Sequence, residues 1–201
     1  MINPQPITLA TDRVCLEPLS LDPHDGLVDA ATDGKLWELW QTSVPRPEET
    51  RAYIKTALVG QRDGHMLRMA VRDLESDRIV GSTRYHDIVA EIDRVEIGYT
   101  FYAASVQRSH INTTCKRLLM EHAFERLGCA VVGLRTDSFN LTSQRAIAGL
   151  GAQRDGVIRH HAPRSDGSTR STVMFSILVA EWPDVRRHLD LRLARRRPPE
   201  I

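Results

Sequence analysis

Two stretches of this chain place amides, hydroxyls and a guanidinium where a helix begins. The first, Gln107-Arg108-Ser109-His110-Ile111-Asn112-Thr113, follows the β-branched and aromatic run Val95 to Tyr102 and precedes an amphipathic run ending at Leu127. A strand end beside a helix start offers unsatisfied N–H groups and the positive end of the helix dipole, which suit an anion such as a pyrophosphate. Arg108 adds a positive charge, and Asn112 is a suitable N-cap, with Thr113 and Thr114 as further hydroxyls. The second stretch, Asp137-x-x-Asn140-x-x-Ser143, repeats the strand–turn–helix order, with Asn140 at the cap and Ser143 three residues further along one face. Each alone could be an ordinary capped helix.

The elements that must position these residues are legible along the chain. Arg13 to Leu19, Leu67 to Asp73, Arg78 to Asp87 and Val95 to Tyr102 alternate as strands, and Gly156 to His161 and Ser171 to Leu178 close the series. Cys115, Leu118, Leu119, His122, Ala123 and Leu127 repeat with the helical period, predicting a helix from about Thr113 to Leu127. Broken helical patterns span Asp22 to Thr32 and Leu36 to Thr42, where Trp37 and Trp40 share a face. Further helices open near Glu48 and at Glu181-Trp182-Pro183. Antiparallel strands early and strand–helix alternation late predict one mixed α+β domain over residues 1–201.

Composition sets the limits. A chain of 201 residues, 41% hydrophobic, can build a sizeable single core. With 27 basic and 26 acidic residues, it shows no general affinity for nucleic acid or membranes. The cluster Arg192, Arg195, Arg196 and Arg197 is read as part of a solvated basic tail over 192–201. Cys115 and Cys129 stand at apolar positions and read as buried thiols; with Cys15 they make an odd number in no metal-type pairing, so no metal is expected. MINPQPITLATDRV has neither a basic start nor an apolar core, and no apolar run reaches membrane-spanning length. A cytoplasmic protein is the expectation, as a monomer or homodimer.

From Val95 through Ala152, then GVIRHH, DGSTRSTVMFSIL and EWPDVRRHL, the chain resembles the GNAT N-acetyltransferases, in the branch similar to RimJ and RimL. The resemblance implies the GNAT fold: a mostly antiparallel twisted sheet of about seven strands flanked by helices, with a splayed strand pair holding CoA. Acetyl-CoA would be the acyl donor and a protein N-terminus or small-molecule amine the acceptor. Family members carry a Gln/Arg-x-x-Gly-x-Gly/Ala loop whose amides bind the CoA pyrophosphate. Gln107 agrees, whereas His110 and Asn112 replace the small residues. His110 is either an extra phosphate donor or a solvent-facing loop residue. RSHINTTCK follows the branch's RTGVNTEAK, so Arg108, Ser109, Ile111 and Thr113 belong to the implied cofactor set.

Acyl transfer from a thioester to an amine needs a neutral amine, donors for the oxyanion and a proton for the thiolate. By resemblance, Glu96, Ile97, Gly98 and Tyr99 lie on the strand that pairs with pantetheine, Asn140 bonds pantetheine, and Ser143 lies near the sulfur. Gly98 suits a strand that bulges to admit a ligand, or is a plain strand glycine. No tyrosine follows Tyr102, so an acid on the Asn140 helix must be Ser143. The branch's base, a glutamate on the penultimate strand, falls at Ala162. That leaves Glu96, His160 or His161 as bases, or a water relay; adjacent strand residues face opposite ways, so at most one histidine enters the cleft. Trp37, Trp40, Arg84, His86 and Arg170 are candidate acceptor-site residues. Two alternatives stand beside acetyl transfer: another acyl donor such as succinyl-CoA, with Arg84 meeting its distal carboxylate, and a non-catalytic acyl-CoA-binding module.

Overall fold

Strand β3 (Met66–Asp73) shows how the sheet divides the molecule. Leu67, Met69 and Val71 enter one core, while Ala70 and Arg68 turn to the other side, the period-two alternation of a strand buried on both faces. The computed structural model describes residues 1–20, 24–164 and 166–195. Its other strands are β1 (Leu9–Ala10), β2 (Val14–Pro18), β4 (Arg78–Val89), β5 (Arg94–Tyr102), β6 (Val131–Asp137), β7 (Gln153–Pro163) and β8 (Thr169–Leu178). They form one sheet in the order β1-β2-β3-β4-β5-β6-β8-β7. The count is eight where the sequence predicts about seven; the two-residue β1 is too short to leave an alternating pattern.

Every neighbouring pair is antiparallel except β5 and β6. A parallel pair requires a crossover, supplied here by α3 (Ile111–Glu121) and the π-turn His122–Arg126 that continues it. On the α3 face, Tyr85, Val95, Ile97, Val132 and Leu134 pack with Ile111, Cys115, Leu119 and Met120. Trp182, Val185 and Leu189 of α5 (Trp182–Ala194) complete this core. On the other face, α1 (His24–Thr32) and α2 (Thr50–Arg62) bury Leu27, Ala30, Ala31 and Ile54 against Ala70, Ile79 and Phe101. Cys115 and Cys129 are buried free thiols in the first core.

Two expectations change. Only a 3₁₀ turn, Leu36–Glu38, forms where a helix to Thr42 was predicted. The predicted start of the first helix, Asp22, lies outside the described residues. Arg192 belongs to α5 and not to a tail: its Nη1 donates to the Gly149 carbonyl, and His188 Nε2 lies 3.1 Å from the same oxygen. Arg195 caps α5, and Arg196 and Arg197 lie outside the described residues.

Candidate active site

Strands β5 and β6 pair over three residues only: Arg94 with Val131, Val95 with Val132, and Glu96 with Gly133. Beyond that point pairing stops, so residues 97–102 and 134–137 have no strand partner across the gap. Each arm of this V runs into a helix, β5 through the 103–110 loop into α3, and β6 through Ser138-Phe139 into α4 (Leu141–Ala148). Two helix N-termini therefore follow the carboxyl ends of a diverging parallel pair, where ligands bind in open sheets.

The loop before α3 is built by its own side chains. Gln107 Nε2 donates to the Tyr102 carbonyl at 3.1 Å, and Ser109 Oγ donates to the Val106 carbonyl at 2.6 Å. The Ile111 N–H donates to Ser109 Oγ at 3.2 Å, and the Thr114 N–H to the His110 carbonyl. The helix thus starts at Ile111, and the expectation that Asn112 is the N-cap is corrected. Asn112 lies inside the first turn, His110 is the cap residue without a side-chain cap bond, and Ser109 before it accepts the Ile111 N–H. Ile111 and Thr113 are buried, whereas Arg108 is exposed and left-handed at φ 63°. His110 has φ −73° and Asn112 is helical, so neither needs the backbone freedom of the glycine-type residues they replace.

At the second helix start the predicted cap is present. Asn140 Oδ1 accepts the Ser143 N–H at 3.0 Å, and Gln144 Nε2 donates to the Ser138 carbonyl at 2.9 Å. The turn is braced by Asp137, whose carboxylate accepts from Arg164 Nε at 2.7 Å and from the Phe139 N–H at 2.9 Å. Burial pushes the Asp137 pKa up, but these two bonds, together with the charges of Arg164 and Arg170, hold the carboxyl below its ordinary value.

The β5 arm carries a bulge at the mouth of the V. Ser82 opposes Phe101 and Arg84 opposes Gly98, so Tyr99 and Thr100 together face Thr83. Tyr99 is left-handed at φ 48° and 41% exposed. Beneath it, buried Lys116 of α3 reaches Thr100 Oγ1 at 2.8 Å and Thr83 Oγ1 at 3.4 Å. Burial lowers the Lys116 pKa to about 8. Gly98 has a steric reason beyond the bulge: a Cβ there would stand 2.3 Å from His86 Nε2.

Arg84, His86, Glu96 and Arg135 occupy the α1/α2 face beside this bulge. Glu96, 4% exposed, accepts from Arg94 at 3.1 Å, and its Oε2 lies 3.5 Å from Arg135 Nε without a hydrogen bond. Arg135 Nη1 pairs with Asp87 at 2.7 Å, and His86 Nδ1 lies 3.4 Å from Asp87 Oδ1. The bond to His86, aided by Arg135, lowers the Asp87 pKa to about 2. Further along, Trp40, Val44, Pro45, Tyr53, Arg164 and Arg170 line a cavity of about 540 Å³.

Residues 13–153 match the Acetyltransferase (GNAT) domain family. The chain belongs to the GNAT acetyltransferases. It is 22% identical to the uncharacterized N-acetyltransferase p20 of Bacillus licheniformis, over 87% of this chain and 98% of that one. A GCN5-related N-acetyltransferase from Brucella melitensis superposes with a TM-score of 0.83 at 24% identity, covering 94% of this chain and 86% of the other. Mycobacterium smegmatis RimJ, solved with CoA-disulfide, superposes at 0.78 with 17% identity, covering 95% and 96%. Those two share the fold.

Within this GNAT domain, the predicted residues divide into groups. Glu96, Ile97, Gly98, Tyr99, the 107–113 loop, Asn140 and Ser143 surround the V. Arg84 and His86 lie beside it on the α1/α2 face, and Arg170 borders the cavity. Trp40 also lines the cavity, 5.6 Å from Phe139, but Trp37 packs against the second core. His160 and His161 are both exposed. Between the Ile158–Thr172 and Ala162–Arg170 pairs, three β7 residues face Ser171, and His160 is left-handed at φ 53°. Simple alternation, from which at most one inward histidine was expected, does not hold in this bulge, and His161 Nδ1 meets Thr172 Oγ1 at 3.0 Å. Sequence reasoning missed Arg68, Lys116 and Arg135, whose signal was a charge at an inward position of an otherwise apolar or alternating run.

Proposed function

We propose that this acetyltransferase uses acetyl-CoA to acetylate a primary amine by direct attack in a ternary complex. The observation that carries the reading is the parallel pair that parts after Glu96–Gly133 with a helix start at the end of each arm. Unpaired strand edges there fit the amide-rich pantetheine, and the α3 start with Arg108 fits a pyrophosphate. Bound there, acetyl-CoA supplies the activated thioester.

The chain's own groups take the remaining roles. A backbone N–H at the β5 bulge faces the developing oxyanion, and Ser143 at the α4 start delivers the proton to the departing sulfur. Glu96, whose buried Oε2 accepts no hydrogen bond, takes the amine proton directly or through water. The acceptor approaches over the α1/α2 face, past Tyr53 and Tyr99. A thiol-release assay with acetyl-CoA and a panel of peptide N-termini and small amines tests the reading, and no turnover with any acceptor counts against it. Ser143→Ala is expected to lower kcat by roughly tenfold or more while leaving the CoA Kd near wild type; unchanged turnover removes it as the acid.

A further inference from the structure

Arginines on the α1/α2 face fall into two classes. Arg135 is matched by Asp87 and Glu96, Arg94 by Glu96, and Arg164 by Asp137. Arg68 and Arg84 have no carboxylate partner among the described residues, and the only carboxylate charge Arg170 feels there is that of Asp137, which Arg164 already binds. Arg68 and Arg84 sit directly opposite each other on β3 and β4, at 0% and 3% exposure. Arg68 is anchored by donating to the Ile54 and Tyr53 carbonyls, both at 2.8 Å. Burial, then the charge of Arg84, pulls its pKa down to about 9, which leaves it cationic at neutral pH.

Arg84 is the less satisfied of the two. Its Cζ lies 4.0 Å from the Tyr99 ring centroid and 4.8 Å from that of Tyr53, and Nη1 meets only Met66 Sδ. Nε and Nη2 are buried and have no acceptor. These two nitrogens form the edge by which a guanidinium grips a carboxylate at two points. Unmet buried donors beside a second buried cation are costly, and an anion arriving with the substrate removes that cost. Arg170, its Nε likewise buried and unpartnered, lies on the cavity wall that Tyr53 shares. The geometry therefore points to a substrate carboxylate bound by the Nε–Nη2 edge of Arg84 beside the β5 bulge, reached when the half-exposed Tyr99 ring that stacks on it moves aside. Arg68 lies opposite on β3, and Arg170 on the wall of the neighbouring cavity.

This assignment rests on the acyl-transfer reading above and names the substrate class. The carboxylate belongs either to the amine acceptor, as in a free amino acid, or to the far end of a dicarboxylic acyl group. Two assay arms separate these sources. One compares free amino acids with their carboxamides, using acetyl-CoA; the other compares succinyl-CoA with acetyl-CoA on a common amine. A preference for the carboxylate partner of tenfold or more in kcat/KM is expected in one arm, on the order of a charged hydrogen-bonded contact. Arg84→Gln should abolish it with the CoA Kd unchanged, and Arg84→Lys should recover only part. No preference in either arm of an active enzyme, or a preference that survives Arg84→Gln, overturns the assignment and leaves acetyl transfer standing. Should no acceptor turn over, acetyl transfer itself fails, and calorimetric titration of succinate and glutarate into the CoA-loaded protein decides. Binding weakened by Arg84→Gln and by Arg170→Gln supports the site, and no binding to the wild type overturns it.

Discussion

Asn140 carries two duties that substitution can separate. Its Oδ1 caps α4 through the Ser143 N–H, and, as the family resemblance implies that Asn140 bonds pantetheine, we propose that its Nδ2 makes that bond. Asn140→Ala should lose both, costing about 1 kcal/mol of stability for the cap together with CoA affinity. Asn140→Asp retains a cap oxygen and should melt near wild type, yet bind CoA more weakly. Thermal melts with calorimetry check the pair, and a CoA affinity equal to wild type in both variants removes Nδ2 from the site. The cap was legible because a short amide side chain before a helix has one common use. The cap of α3 was not: Ser109, His110, Asn112 and Thr113 are all plausible starters, and only the path of the loop decides that Ile111 comes first.

At the scale of elements, the β5 bulge depends on α3. Lys116 brings a buried ammonium to Thr100 and Thr83, and burial keeps its pKa at about 8. Lys116→Met removes the cost of burying that charge and also the tie to the bulge. The expected result is a Tm at or above wild type with turnover reduced several-fold, read from melts and initial rates. His122, where α3 passes into the π-turn, shares a hydrogen bond with Tyr85 in the core at 3.2 Å. Burial, then the charge of Arg126, lowers its pKa below the usual 6.5. The unfolded chain thus binds more protons near that value, so stability falls as the pH drops through about 6.5 toward the native pKa. Urea midpoints between pH 5 and 8 should show the slope, and His122→Gln should flatten it.

Across the whole molecule, the described strands form a single sheet whose β5 and β6 arms part, and a ligand held by both arms of the V should stabilise the folded state as one unit. CoA at a hundred times its Kd contributes about 2.7 kcal/mol, a rise in Tm of roughly 5–11 °C for a domain of this size. A thermal melt with and without CoA measures it; no rise would mean that the V does not hold CoA.

Much of this architecture was written locally. Alternating strands, the helical period from Cys115 to Ala123, and Asn140 at a helix start are short-range properties, set by backbone geometry and the side-chain face each residue must bury. Acetyltransferase membership was legible only through the resemblance of the Val95–Ala152 run and the segments after it to the GNAT family; the order of elements alone would fit many strand–helix proteins. The catalytic surroundings were not, because charge partners come from strands far apart in sequence. Arg135 joins Asp87 to Glu96 only once β6 lies beside β5 and β5 beside β4. His160 and His161 are turned by a two-strand register shift that no single strand encodes. Arg84 was singled out from sequence as a candidate acceptor-site residue, but Arg68 reads as an ordinary polar strand position until pairing sets the two opposite each other, with Arg68 bonded to α2. Local pattern determined the elements. Strand register opened the cleft, and register with burial decided which charges beside it lack a partner, because both depend on segments far apart in sequence.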